Sequence, residues 1–307
     1  MPDNTQLPDL YDFSLNLLAH NSRDDLERCV KSICHNVGDR RVELVIIDNG
    51  STDDTLAYLQ QLAREGDLPG EYGQRIGLQA LFADHNIGFA AGRNATMRAS
   101  RGRFIILMDT SIEVTGDIWE PLEHTLADRG VGVAGPYGLV TGDLREFREA
   151  AGPDVDAIEA YLMAFRRELL PEVGWVDEKF RFYRLMDIYF SFFFKTSGYR
   201  VVATPLVAGR IEKHPHREWY SLSEDERATK SKKNYDVFRE RWHHGESLLV
   251  ANFDPKNCWR GHDHPYHVAG ERAHSAEELP PPGVMHAHDH RHWPDHSHAH
   301  PHYHEFA

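Results

Sequence analysis

The run VIIDNGSTDDT at residues 45–55 joins an apolar segment to a polar turn, and it decides the fold class. The apolar part starts earlier, with VELVII at residues 42–47, a β-branched run typical of a strand buried on both faces of a parallel sheet. Gly50 then permits a tight turn, and Ser51 can cap the helix that leucine spacing predicts over residues 53–64.

Strands and helices alternate on both sides of this run. Apolar runs predict strands over residues 13–19, 76–82 and 104–108, and helical spacing predicts helices over residues 24–34 and 88–99. Such alternation predicts an α/β domain with a central, mostly parallel sheet, whose ligands collect at the carboxyl ends of the strands. The polar residues that follow the predicted strands are His20, Asn21, Asp48, Asn49, Asn86 and Asp109.

The second half of the chain carries weaker signals. Apolar spacing predicts helices over residues 119–127, 186–196 and 224–242, and strands over residues 130–137, 138–147 and 201–207. Residues 154–170 are amphipathic and fit either a strand or a helix.

Charge and cysteine content exclude some classes of protein. The 307 residues carry a formal net charge of −14 at pH 7, which gives no attraction to nucleic acid. Three cysteines cannot complete a disulfide framework, so we expect reduced thiols and a cytoplasmic protein, with peripheral attachment to the inner membrane face as the alternative. Because no apolar run approaches the roughly 18 residues of a spanning helix, we expect no integral membrane contact.

Histidine dominates residues 251–307, with nine histidines between His286 and His304. This composition is too polar to pack a core, so we predict an extended, disordered tail. Its imidazoles can bind Zn²⁺ or Ni²⁺ loosely, and metal handling through the tail is one alternative function.

Two blocks carry a resemblance to a known family. The run at residues 45–55 and NIGFAAGRNATMRASRGRFIILMDTS at residues 86–111 resemble, in order, the nucleotide-binding half of family 2 glycosyltransferases of the GT-A fold, in particular rhamnosyltransferase-like members. The resemblance implies a three-layer, Rossmann-like domain over residues 1–250, with a nucleotide-binding half at about 12–115 and an acceptor half at about 116–250.

The same resemblance implies a bound nucleoside diphosphate sugar, linked to UDP, GDP or dTDP. The residues it assigns to that ligand are Ala19, His20, Asn21, Asp48, Asn49, Asn86, Gly88, Arg93, Asn94, Met108, Asp109, Thr110 and Ser111.

In the family, an Asp-x-Asp motif holds Mn²⁺ or Mg²⁺ against the diphosphate. Here the motif reads DTS, so Ser111 replaces the usual aspartate with a poorer ligand for a hard cation. Glu113 can substitute, because in a strand it shares a face with Ser111. His214 matches the family's metal-facing histidine, and His216 is a second candidate. The resemblance therefore implies a metal at Asp109, Ser111 and His214.

A third block, residues 173–201, resembles the acceptor side of the family. It implies that Asp187 is the general base, in apolar surroundings that raise the pKa of a carboxylate, and that Trp175 and Asp177 lie near the acceptor. Polar family residues are lost here: Met186, Tyr189 and Phe193 stand where Glu, Asp and Arg are usual.

The predicted function is an inverting glycosyltransferase that acts on a carbohydrate or small-molecule hydroxyl, and homo-oligomerisation stays open. A nucleotide-sugar-binding or regulatory module that has lost its chemistry is the alternative from a different class. A nucleotidyltransferase ranks lower, because residues 21–26 lack a glycine-rich basic loop.

Overall fold

The computed structural model describes residues 10–150, 152–215, 221–255, 285–292 and 296–303. The strands are β1 (Tyr11–Ala19), β2 (Val42–Asn49), β3 (Leu68–Pro69), β4 (Arg75–Ala83), β5 (Gly102–Asp109), β6 (Ile112–Val114), β7 (Val131–Gly135), β8 (Gly138–Thr141), β9 (Phe147–Ala150), β10 (Ala157–Ile158), β11 (Leu162–Arg166), β12 (Arg200–Ala203), β13 (Ile211–Lys213), β14 (Met285–His292) and β15 (His296–Tyr303). The helices are α1 (Arg23–His35), α2 (Thr55–Glu65), α3 (Phe89–Ala99), α4 (Trp119–Ala127), α5 (Leu170–Val173), α6 (Met186–Thr196), α7 (Pro205–Ala208) and α8 (Glu224–Trp242). Two 3₁₀ turns lie at Arg167–Leu169 and Gly245–Leu248.

An eight-stranded sheet in the order β12-β7-β11-β5-β1-β2-β4-β3 forms the centre of the domain. The strands β5, β1, β2 and β4 run parallel to one another, as the strand–helix alternation predicts. Strand β11 is inserted antiparallel between β5 and β7, and β12 runs parallel to β7. The predicted α/β fold with a mostly parallel sheet is therefore confirmed.

Helices cover both faces of this sheet. One apolar cluster contains the buried residues of α1, α2 and α4 together with alternate residues of β1, such as Phe13 and Leu15. The other cluster contains the buried residues of α3, α6 and α8. Because each face of a strand is buried under a different helical layer, β2 is buried along its whole length.

The structure corrects or completes the sequence prediction at three places. The strand predicted over residues 201–207 ends at Ala203, because Pro205 begins the short helix α7 and proline is favoured in the first turn of a helix. Residues 154–170 contain the strands β10 and β11, which settles the alternative between strand and helix. The three-residue strands β6 and β13 form a separate antiparallel pair that the sequence did not predict.

In the described residues, no helix has both the length and the apolar character needed to cross a membrane. Within the predicted tail, β14 and β15 pair as an antiparallel ladder. An isolated two-stranded ladder is marginally stable in water, so the predicted disorder of residues 251–307 and their metal binding stay predictions.

A buried ion pair joins the acceptor half of the sheet to the segment after α8. Lys195 of α6 and Asp156 are almost fully buried, and the Lys195 ammonium lies 3.1 Å from Asp156 Oδ1. Lys195 also donates to the Leu248 carbonyl, and the Asp156 carboxylate accepts from the backbone N–H groups of Thr141 and Val250. One ion pair thus holds β8, α6 and the C-terminal segment of the domain together.

Breaking this pair should strongly destabilise the domain. We expect Lys195→Met to lower the free energy of unfolding by about 3–5 kcal/mol, because it leaves a buried carboxylate without its cation. The double variant Lys195→Met/Asp156→Asn should recover part of that loss. Urea unfolding measures both, with the exposed Lys31→Met as a control that changes stability by less than about 0.5 kcal/mol. Equal stability of Lys195→Met and the control would contradict the assignment.

Candidate active site

The carboxyl ends of three parallel strands place the predicted nucleotide residues at one rim of the sheet. In the strand register, Ala19 of β1 lies opposite Asp48 of β2, and Leu18 of β1 lies opposite Asp109 of β5. The chain therefore brings Asp48 and Asp109 to either side of the end of β1, as the sequence predicts.

Hydrogen bonds join the loops that follow β1 and β2. Asn21 adopts a positive φ of 48°, and its Oδ1 accepts a hydrogen bond from the Thr52 backbone N–H at 2.7 Å. The Asn21 backbone N–H donates to Ser51 Oγ, and the His20 ring nitrogen Nδ1 lies 3.0 Å from the Asn49 carbonyl oxygen. These bonds fix the two loops relative to each other at the rim.

Asp48 has one carboxylate oxygen without a hydrogen-bond partner in the part of the chain that the structure describes. Its Oδ2 accepts from the Ser51 backbone N–H at 3.3 Å, whereas Oδ1 is buried and lacks a hydrogen-bond donor among the described residues. An unpaired buried carboxylate oxygen is costly, so it suits a ligand that brings an N–H or O–H group.

Asn49 and Asn86 hold the loop that leads into α3. Asn49 Oδ1 accepts from the Ile87 backbone N–H at 3.1 Å, and Asn86 Oδ1 accepts from the Gly88 backbone N–H at 2.9 Å. Gly88 has a φ of 100°, so the start of α3 depends on a glycine at this position.

Arg93 and Asn94 of α3 are directed towards backbone atoms of the fold. The buried Arg93 guanidinium donates to the carbonyls of Asn16 and Met108, and this burial lowers the pKa of Arg93 to about 10. Asn94 exchanges two hydrogen bonds with the backbone of Val176. Both side chains position the site, and their direct contact with a nucleotide sugar stays a prediction.

The turn after β5 contains the degenerate metal motif. Asp109 Oδ1 accepts from the Ser111 backbone N–H at 2.8 Å, and the Asp109 backbone N–H donates to the Tyr161 carbonyl. Asp109, Thr110 and Ser111 are all less than a tenth exposed. Asp109 therefore stabilises its own turn and also lines the adjoining cavity.

A cavity of about 270 Å³ joins this rim to the acceptor half of the domain. Asp109 and Asp187 both line it, together with Glu159 and aromatic side chains that include Phe89, Tyr161 and Tyr183. The structure thus brings the predicted diphosphate residue and the predicted base to one cavity.

The surroundings of Asp187 raise the pKa of its carboxyl group. Asp187 lies in the first turn of α6, and its two carboxylate oxygens accept from the backbone N–H groups of Ala160 and Ile188, each at 2.9 Å. Burial raises the pKa of Asp187 above its usual value, whereas these hydrogen bonds and the charge of Arg184 oppose the shift. A carboxylate with a raised pKa is a stronger proton acceptor once it is ionised.

A known family matches the part of the chain that lines this cavity. The family model described as glycosyl transferase family 2 matches residues 14–201, more than half of the chain. The chain belongs to glycosyl transferase family 2.

Two curated relatives match this family 2 chain over limited lengths. An uncharacterized protein of Sinorhizobium fredii, y4gI, is 25% identical over 71% of the chain and 26% of its own length. The uncharacterized glycosyltransferase YfnE of Bacillus subtilis is 30% identical over 34% of the chain and 24% of its own length. The matched part of each relative is therefore about a quarter of that protein.

Solved structures share the fold. GalNAc-T7, solved with UDP, GalNAc and Mn²⁺, has a TM-score of 0.59 and 17% identity, and the match covers 76% of this chain and 48% of that chain. The mannosyltransferase PcManGT of Pyrobaculum calidifontis, solved with GDP-Man and Mn²⁺, has a TM-score of 0.51 and 18% identity, over 82% and 74%. At this identity the likeness shows a common GT-A fold.

Core packing accounts for two apolar residues of α6, Tyr189 and Phe193, that stand where the family resemblance leads one to expect polar residues. Tyr189 lies 4.8 Å from Phe180 between ring centroids, and both Tyr189 and Phe193 pack edge-on against Trp242 of α8. The Arg241 guanidinium lies over the Phe193 ring at 4.2 Å. Both aromatic residues pack in the core, and neither lines the cavity that holds Asp187.

The two predicted acceptor residues lie elsewhere. Trp175 is partly exposed and stacks with the Arg98 guanidinium of α3 at 4.7 Å, and Asp177 accepts from the Lys179 backbone N–H. Neither belongs to the lining of the cavity that holds Asp187. Their role towards an acceptor stays a prediction.

Sequence reasoning missed a third carboxylate in the cavity, Glu159. Glu159 lies beside Asp187, and burial together with the charge of Asp187 raises the pKa of Glu159. Lys213 lies 3.9 Å from Glu159 and caps the rings of Tyr137 and Tyr161. A single acid inside the apolar run AIEAYLM was the available signal, because a charge in such a run needs a specific partner or a function.

The predicted metal ligands are only partly brought together. The His214 backbone N–H donates to the Ser111 carbonyl at 2.9 Å, so these two residues are neighbours. The His214 imidazole, however, contacts Glu113, with Nε2 3.0 Å from Oε2. The second histidine candidate, His216, lies outside the described residues.

Gly50 should be essential to the rim, because its φ is 71° and a Cβ there would lie only 2.2 Å from the His85 backbone. We expect Gly50→Ala to lower the free energy of unfolding by about 1–3 kcal/mol more than Gly66→Ala. Gly66 has a φ of 80° with open space around it, so it reports the backbone strain alone. Urea unfolding of both variants measures the difference, and equal losses would show that the turn tolerates the extra methyl group.

Proposed function

We propose that this chain transfers a sugar from a nucleoside diphosphate sugar to an acceptor hydroxyl with inversion at the anomeric carbon. The observation that carries the proposal is that Asp109 and Asp187 line one cavity at the carboxyl rim of the sheet. Membership of family 2 supports the reaction class, and the two neighbours solved with a nucleotide and Mn²⁺ support the class of donor.

In the proposed arrangement, the nucleoside lies beside the ends of β1 and β2. The unpaired Oδ1 of Asp48 accepts a hydrogen bond from the base or the ribose, next to the loops joined by Asn21 and Ser51. The diphosphate then lies towards the turn at Asp109. The donor base stays open among uracil, guanine and thymine, since Asp48 does not by itself distinguish them.

Asp187 takes the proton of the acceptor hydroxyl. The acceptor oxygen attacks the anomeric carbon as the bond from that carbon to the diphosphate oxygen breaks, and the electron pair leaves with the nucleoside diphosphate. An attack opposite to the leaving group inverts the anomeric configuration. A divalent cation, when bound near Ser111 and His214, supplies positive charge to the leaving diphosphate.

The aromatic side chains of the cavity fit a carbohydrate acceptor. Tyr161, Tyr183 and Phe147 supply aromatic surface to the lining, and Glu159 supplies a carboxylate that can accept from sugar hydroxyl groups. We therefore favour a carbohydrate over an apolar small molecule as the acceptor. The cytoplasmic location and any oligomeric state stay predictions.

Removing the proposed base should stop transfer and leave nucleotide binding intact. We expect Asp187→Asn to lower kcat by about 10²–10⁴-fold in a transfer assay over a donor and acceptor panel. Asp236→Asn, an exposed aspartate of α8, is the matched control. Calorimetry with UDP and GDP on the same proteins measures binding.

Two results would contradict this proposal. Transfer by Asp187→Asn at the wild-type rate would remove Asp187 from the mechanism. Nucleotide binding by the wild-type protein without transfer to any acceptor would favour a binding or regulatory module.

Charges around Asp187 should set the pH dependence of transfer. The base must be ionised, so kcat/KM falls as the pH drops through the pKa of Asp187. Arg184→Gln removes a positive charge that lowers this pKa, so the acid limb should move to higher pH. Glu159→Gln removes a neighbouring negative charge, so the limb should move to lower pH.

The pH profile of kcat/KM for these two variants measures the effect. Arg64→Gln, a remote substitution on α2, should leave the limb unchanged. Shifts of both variants in the same direction would rule out Asp187 as the titrating base.

A further inference from the structure

The antiparallel pair β6–β13 carries four polar side chains on one face. In its register Glu113 lies opposite Glu212. The bond from the His214 N–H to the Ser111 carbonyl extends the pairing by one residue, so Ser111 lies opposite His214. Since directly opposed residues and residues two apart in a strand share a face, Ser111, Glu113, Glu212 and His214 form a square on one side of the ladder.

The other side of the same ladder carries three apolar residues and Lys213, which lies opposite Ile112. Ile112, Val114 and Ile211 are buried there in the core. Core packing therefore fixes the orientation of the ladder and directs the polar square away from the core. Consistent with this orientation, ligand atoms of Glu113, Glu212 and His214 all lie within 4.8 Å of one another.

Ser111 supplies an independent sign of a missing ligand. The residue is 2% exposed, and its hydroxyl oxygen has no hydrogen-bond partner among the described residues. A buried hydroxyl without a partner is unfavourable and rare, and this one belongs to the same face as the two glutamates and the histidine.

The existing contacts leave this face with excess negative charge. Glu113 contacts the His214 imidazole at 3.0 Å and the Arg28 guanidinium at 3.8 Å. Arg28 also donates to Asp25 at 2.6 Å, so its charge is shared between two carboxylates. Glu212 adds a further exposed carboxylate within reach.

We propose that Ser111, Glu113, Glu212 and His214 form a binding site for a divalent cation. Two carboxylates, one imidazole and a hydroxyl are a mixed oxygen and nitrogen set, which suits Mn²⁺ or Zn²⁺ better than Mg²⁺. Glu113 and Glu212 supply the carboxylates, outside the family's Asp-x-Asp motif. A cation that binds here replaces the hydrogen bond between His214 and Glu113, and an imidazole nitrogen without a proton becomes a ligand.

This site names the residues that hold the cation near Ser111 and His214, so its role in transfer rests on the proposed function, whereas cation binding itself is a property of the free protein. Its test needs no nucleotide and no acceptor. If the chain binds the cation but transfers no sugar, this site stands and the proposed function fails. If the chain transfers sugar but does not bind the cation, the proposed function stands and this site fails.

Titration of the full chain with Mn²⁺, followed by the electron paramagnetic resonance signal of free Mn²⁺, tests the site. We expect Glu113→Gln and Glu212→Gln each to weaken binding at least about 10-fold, in line with the loss seen when metal-site groups are removed. Glu65→Gln, an exposed glutamate of α2, is the matched control and should bind as the wild type does. Mn²⁺ binds nitrogen ligands more weakly than Zn²⁺ or Ni²⁺ does, and the histidine-rich tail is the same in all variants. Differences in Mn²⁺ affinity between the variants therefore report binding at Ser111, Glu113, Glu212 and His214.

A second pair of variants tests the residues on either side of Thr110. Ser111→Asp adds a carboxylate to the face and should strengthen Mn²⁺ binding. Asp109 Oδ1 accepts from the Ser111 backbone N–H, so Asp109→Asn alters the turn that holds Ser111, and its effect on Mn²⁺ affinity should be smaller than that of Glu212→Gln. Thermal unfolding of each variant verifies that it is folded. Weakening by Asp109→Asn without weakening by Glu212→Gln would overturn the proposal, as would wild-type binding no tighter than that of the double variant Glu113→Gln/Glu212→Gln.

Discussion

The parallel register of β1 with both of its neighbours is the constraint on which the site depends. Because β1 lies between β2 and β5, the residues that end these strands meet at one rim, with Asp48 and Asp109 on either side. A slip of one residue in either pairing would turn the ends of the strands to the opposite faces of the sheet. The buried Arg93 reinforces the register, since its guanidinium bonds to carbonyls of both β1 and β5.

The second half of the domain supplies the catalytic candidate by a different route. Helix α6 is almost entirely apolar, and its aromatic residues pack against β11 on one side and α8 on another. Asp187 can stay at the cavity because the backbone N–H groups of Ala160 and Ile188 hold its carboxylate. Met186, Tyr189 and Phe193, which stand where the family resemblance leads one to expect polar residues, pack in the core. Asp187 remains at the cavity.

The sequence predicts the first half of the fold well, because each strand there is a short apolar run that ends in polar residues. It does not predict that β11 enters the sheet antiparallel between β5 and β7, because this pairing joins segments more than 50 residues apart. Strands β6 and β13 are three residues long and half polar, so no periodicity marks them. Asp48 and Asp109 could be selected from sequence because they end predicted strands, and Asp187 was selected through the family resemblance. Glu159 and Glu212 enter the site only through contacts made by the folded chain.

The charge of the rim links these observations. Asp109, Glu159 and Asp187 line the cavity, Glu113 and Glu212 lie on the ladder that follows Asp109, and the whole chain has a net charge of −14. A nucleoside diphosphate is itself an anion, so an acidic rim without added positive charge would repel the proposed donor. Arg145, Arg184 and Lys213 supply positive charge on the acceptor side. A cation bound between Glu113, Glu212 and His214 would supply it beside Ser111, close in the chain to the turn where the diphosphate is proposed to lie, and would lower the repulsion between the acidic ladder and the anionic donor.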